Sequence, residues 1–179
     1  MITKEVIRAI KHNIDGKSAE RLIQSIAPED EVEMIHKFYY PYYCFKANCD
    51  IPTLRGRRKI ATQCLVDGRN GLGATSDSFI ENFEEVEIDS VIKVCSDQGK
   101  LRQSAFRYLT HTLGRRFKAL TNFNVAIISQ RLVYKLFWGI RFGNQFVIID
   151  SMTGLMHPLE ANFSDMKQMK KTTETDFQF

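Results

Sequence analysis

Cys64-Leu65-Val66-Asp67-Gly68-Arg69-Asn70-Gly71-Leu72 and Val147-Ile148-Ile149-Asp150-Ser151-Met152-Thr153-Gly154-Leu155 decide the reading of this chain. Each is a short apolar run that stops at Asp-x-x-x-Gly-Leu. An aspartate carboxylate accepts backbone N–H bonds two or three residues ahead of it. A glycine then takes the positive φ that other residues resist. Both segments therefore read as a strand closed by the same turn.

Working outward, the halves stay in step. Phe38-Tyr39-Tyr40-Pro41-Tyr42-Tyr43 precedes the first strand, and Leu132-Val133-Tyr134-Lys135-Leu136-Phe137 precedes the second. Aromatic and β-branched residues suit a pleated surface, so both are strands. Gly143-Asn144 is a two-residue hairpin signal. Arg55-Gly56-Arg57-Arg58-Lys59 is the polar tip of a longer hairpin. Helices precede both hairpins. The opening one carries Ile2, Val6, Ile7, Ile10 and Ile14 at helical spacing, and Asp15-Gly16 breaks it. Ser18 caps a second, with Ala19, Leu22, Ile23 and Ile26 inward. Phe79 to Glu85 reads as a short helix, and Val86 to Val94 as a strand or a helix start. A longer helix from about Asp97 to Leu120 places Leu101, Ala105, Leu109, Leu113, Phe117 and Leu120 near one side. The expectation is an α+β fold of two helix-plus-antiparallel-hairpin repeats packed as one compact chain. The repeats cover residues 1–76 and 77–158, with a polar tail at 159–179.

Tyr43 to Cys49 with Leu65-Val66-Asp67 to Gly71, and Tyr134 to Phe142 with Ile148-Ile149-Asp150 to Gly154, resemble the PepSY-type domain in tandem. That resemblance implies small, non-enzymatic modules that bind or restrain other proteins. Members are often exported, whereas no signal or anchor is expected for this chain.

Composition narrows the class. The chain has 179 residues, 44% hydrophobic and 26% charged, with 13 Phe and 6 Tyr. That is globular composition with aromatics to fill a core. The net charge of +4 permits an acidic partner without demanding one. No run of about 18 apolar residues could span a bilayer, so no membrane insertion is expected. Lys4, Glu5, Arg8 and Lys11 interrupt the start, so it does not read as a secretory signal and the chain reads as cytoplasmic. Cys44, Cys49, Cys64 and Cys95 form no C-x-x-C pair and read as free thiols. Cys44 and Cys49 fall on opposite strand faces, and His12, His36, His111 and His157 are scattered, so no metal is expected. Gly71-Leu72-Gly73-Ala74-Thr75-Ser76 lacks the third glycine of a dinucleotide loop, so no cofactor is expected. No nucleophile or zinc-protease motif is present. Asp67, Gly71, Asp150 and Gly154 are explained as turn formers, and the chain is not read as an enzyme.

Two binding surfaces remain. Tyr39, Tyr40 and Tyr42 flank Pro41, which lacks an amide hydrogen and marks an edge position or a bulge. With Phe177 and Phe179 of the tail they suit a protein partner, a second copy of the chain included, and a regulatory role. The alternative is nucleic acid. It uses Arg55, Arg57, Arg58 and Lys59 at the hairpin tip. On the long helix Lys100, Arg107, His111, Arg115 and Lys118 fall within about 80° of one another.

Overall fold

The computed structural model describes residues 4–75, 82–89 and 91–159. In chain order they form β1 (Glu5–Ile10), α1 (Gly16–Ile26), β2 (Val32–Thr53), β3 (Gly56–Asp67), β4 (Ala74–Thr75) and β5 (Phe83–Ile88). There follow α2 (Gln98–Phe117), β6 (Asn124–Phe142), β7 (Gln145–Asp150) and β8 (Met156–Leu159). The strands hydrogen-bond in the order β4-β3-β2-β6-β1-β5, with β7 beside β6 and β8 beside β7. The sheet is mixed: β1 meets β6 in parallel at Ala9 and Tyr134, while β1–β5, β2–β3 and β6–β7 are antiparallel.

This overturns the expected architecture of two helix-plus-hairpin repeats. The fold is dominated by one large mixed sheet, and the described residues hold two helices. The opening segment is strand, not helix. Ile7 and Ala9 are buried while Arg8 between them is exposed, a period of two that the wider isoleucine spacing masked. β1 pairs with β5 from Glu5↔Ile88 to Ile10↔Phe83. Residues 83–85 are therefore strand as well, and 79–81 lie outside the described residues. The cap of α1 is Asp15, not Ser18: the Ser18 amide donates to Asp15 Oδ1 at 2.8 Å. Asp15-Gly16 starts this helix rather than ending another.

Two compact units interleave along the chain, where the sequence reading divides it at residues 76 and 158. The first comprises Met1–Ile10 and Pro41–Tyr134. Tyr43, Phe45, Ala47, Cys49 and Ile51 alternate along β2 and face inward with Cys64 and Val66 of β3. Leu101, Ala105, Leu109 and Leu113 of α2 cover them, at the three- and four-residue steps of one helix face. Asp97 caps α2 by accepting the Lys100 amide at 3.0 Å.

The second unit comprises Lys11–Tyr40 and Lys135–Phe179. Its core is Ala19 and Ile23 of α1 against Ile140 and Phe142 of β6 and Val147 and Ile149 of β7. The Trp138 indole N–H donates to the Ile14 carbonyl at 2.8 Å, and its ring lies against Gly16. In each unit, then, helix and hairpin come from opposite halves of the chain: α2 covers β2–β3, and α1 covers β6–β7.

The two aspartate turns have like geometry. Asp67 Oδ1 accepts the Arg69 and Asn70 amides at 2.8 and 3.1 Å, and the Gly71 amide donates to the Asp67 carbonyl at 3.0 Å. Asp150 Oδ1 accepts the Met152 amide at 2.8 Å, and the Gly154 amide donates to the Asp150 carbonyl at 2.8 Å. Gly71 and Gly154 sit at φ +68° and +73°, where a Cβ would be strained. Each turn reverses the chain into a short strand, β4 on β3 and β8 on β7.

Candidate functional site

The β2–β3 hairpin ends in a tight turn. Thr53 pairs with Gly56, so Leu54 and Arg55 form the tip. The Thr53 hydroxyl donates to the Gly56 carbonyl at 2.8 Å and accepts the Arg55 amide at 3.3 Å. Gly56 takes φ +105° with open space around it. Below the tip, strand alternation separates the basic side chains. Arg58 pairs with Ile51 and so shares the face that α2 covers. Arg57 shares the other face with Asp50, where its guanidinium spans both carboxylate oxygens at 3.0–3.1 Å. Arg57 is largely neutralised there, in a solvent-screened pair.

The C-terminal end of α2 meets this tip. Lys118 closes the helix in the left-handed region at φ 48°, and the Ala119 amide donates to the Gly114 carbonyl at 3.0 Å. The next amide, Leu120, donates to the Pro52 carbonyl at 3.1 Å, fastening the helix end to the end of β2. Two guanidinium groups lie over the Phe117 ring, Arg58 at 5.5 Å and Arg116 at 5.3 Å from its centroid. A cation over an aromatic face gains about 0.5–1 kcal/mol at an exposed site. More important here, the contact fixes the direction of two arginines. Arg55, Arg58, Arg115, Arg116 and Lys118 are all exposed. They form one basic end of the first unit, built from segments about sixty residues apart in sequence.

The sequence-stripe residues divide. Arg115 and Lys118 belong to this end, as do Arg55 and Arg58, with Lys59 exposed on the Asp50 side. Arg107 is exposed farther back on α2. Lys100 is 18 residues from Lys118, or about 27 Å along the axis, and half-buried beside Gly71. Two members were missed by the sequence reading, Arg116 and Phe117. The signal for the site was available as charge sorting: between Asp97 and Asp150 the chain has no aspartate or glutamate. Cations in the last turn of α2 offset the helix dipole. That accounts for Arg115 and Arg116 but not for the arginines of the hairpin.

β2 lies between β3 and β6 in the sheet order, and its pairing with β3 runs from Tyr42 to Thr53, so it is an interior strand from Tyr42 onward. Pro41 is buried, and its carbonyl accepts the Gly68 amide at 3.0 Å. Tyr39, Tyr40 and Tyr42 are half-buried, and the Tyr40 ring stands edge-on to Phe137 at 6.4 Å. Phe177 and Phe179 lie outside the described residues. Burial pushes the Cys64 thiol up to about 12, with Cys44 and Cys49 nearby adding to the effect. Among the described residues no three His, Cys, Asp or Glu side chains are grouped to hold a metal. No helix of the described residues is long and apolar enough to cross a membrane.

No protein-family model, no curated protein and no solved structure matches this chain.

Proposed function

We propose that this protein binds nucleic acid through the phosphate backbone, with the β2–β3 tip and the C-terminal end of α2 as its contact surface. The observation that carries the reading is the Phe117 ring shared by two guanidinium groups. It draws Arg58 of the hairpin and Arg116 of the helix onto one ring. Planar guanidiniums held in place lose little entropy when they bind, and their forked donors match phosphate oxygens. The absence of acidic residues from 98 to 149 keeps α2 and β6 free of internal repulsion toward a polyanion. Contacts of this kind position a chain on the backbone without reading base sequence. β2 has strand neighbours on both sides from Tyr42 onward, which favours the basic end over the tyrosine strand as the contact surface.

The test is charge reversal. The variant carrying Arg58→Glu and Arg116→Glu should bind a fluorescein-labelled oligonucleotide far more weakly, whatever its sequence. Lys17→Glu, an exposed change in the second unit, should leave binding unchanged. Equal losses in both variants would reduce the effect to net charge and remove the site.

A further inference from the structure

We propose that the hairpin tip is an apolar wedge for a DNA duplex, with Leu54 entering between base pairs from the minor groove; this rests on the phosphate-binding reading above. Leu54 is 84% exposed, against 62% for Val6 and 61% for Ile26. It stands at the extremity of a two-residue turn, the place on a hairpin that reaches farthest from the body. Scattered exposed leucines are ordinary on surfaces. This one differs in its surroundings and in its support.

The surroundings are cationic. Arg55 is its neighbour on the turn, and Arg58, Arg115, Arg116 and Lys118 stand behind it on the same end. An apolar partner protein would have to bury these charges, whereas a duplex presents phosphates flanking a stack of apolar base faces. The minor groove concentrates negative potential and attracts arginine. Proteins that enter it insert leucine or similar residues between base steps and bend the duplex by about 20–90°.

The support is rigid. A wedge must hold its shape while base stacking is broken. The Thr53 hydroxyl ties the turn to both Arg55 and Gly56. The Leu120 amide braces Pro52 on one side of the tip. Arg58 on Phe117 braces the other strand against α2. Both legs of the hairpin are thus clamped within a few residues of Leu54, while Gly56 leaves the side of the tip open.

The experiment uses the full chain and a short DNA duplex carrying 2-aminopurine at its centre and a donor–acceptor pair at its ends. The matching RNA duplex and single strand serve as comparisons. Wild type should raise the 2-aminopurine signal and shorten the end-to-end distance of the DNA duplex. Leu54→Ala should lose both changes yet keep the same salt dependence of binding, and Leu54→Met should retain both. If wild type binds the DNA duplex without unstacking or bending it, or if Leu54→Ala still bends it, the wedge is refuted and phosphate binding stands. Binding to the single strand alone also refutes the wedge. If wild type binds none of the three, the phosphate reading itself fails, and the wedge with it.

Discussion

Lys135 Nζ lies 2.7 Å from Asp150 Oδ2, and both side chains are almost wholly buried. The same carboxylate holds the Met152 amide through its other oxygen. Lys135 also lies 5.6 Å from the Phe137 ring centroid. One aspartate therefore ties the turn after β7 to the middle of β6. Removing one member of a buried pair strands the other's charge, at a cost of about 3–5 kcal/mol. Lys135→Met should lower the unfolding free energy by that amount in urea titrations. A loss below about 1 kcal/mol, the value of an exposed pair, would show that the pair is not anchoring the turn.

Gly68 is required by contact rather than by φ. A Cβ there would lie 2.6 Å from the Pro41 carbonyl oxygen and 2.7 Å from its carbon. These are backbone atoms that cannot swing away. Gly68→Ala should cost about 1–3 kcal/mol or more through forced backbone shifts. Gly73→Ala, where nothing lies within 4 Å, should cost only the left-handed strain of about 1–2 kcal/mol. Paired thermal melts decide the order. Equal melting points would contradict the close approach.

Alkaline stability should fall in a defined window. Burial, with Glu5 and Tyr43 nearby, pushes the Tyr134 hydroxyl up to about 12 from 10.0. Burial does the same to the Cys64 thiol, from 9.0 to about 12. In each case the folded chain keeps a proton that the unfolded chain releases. The resulting stability is present in full below about pH 9 and is lost as pH rises toward 12. Urea midpoints should hold steady from pH 7 to 8 and drop steeply above pH 10. A midpoint that does not move up to pH 11 would contradict the burial of both groups.

The interleaved units make the halves interdependent. Each unit takes its helix from one half and its hairpin from the other. Fragments 1–90 and 91–179 made separately should each lack cooperative folding. Mixed, they should regain the near-ultraviolet circular dichroism of the intact chain. A fragment that melts cooperatively alone would contradict the exchange of helices.

Some of this was legible in the chain and some was not. The aspartate turns are local: an Asx contact and a positive φ are set within five residues, and Asp67-to-Gly71 states them outright. The inner face of α2 was legible because Leu101, Ala105, Leu109 and Leu113 repeat over three turns. β1 was not, since the Val, Ile and Ala among its six residues satisfy both periods, and pairing with β5 decided between them. The place of β2 inside the sheet was not legible either. Pro41 suggests an edge, but its neighbour β6 lies some ninety residues ahead in the chain. The basic end could be seen only in part, because Arg58 and Arg116 become neighbours through the Phe117 ring.

The central claim is phosphate binding by the β2–β3 tip and the end of α2, and salt dependence tests it most directly. Arg55, Arg58, Arg115, Arg116 and Lys118 are five available cations. Full engagement of a duplex would give a slope of log K against log salt of about −4 to −5, falling by about 1 for each arginine replaced by alanine. A slope near zero, or one that the Arg58→Ala and Arg116→Ala variants leave unchanged, would contradict the account.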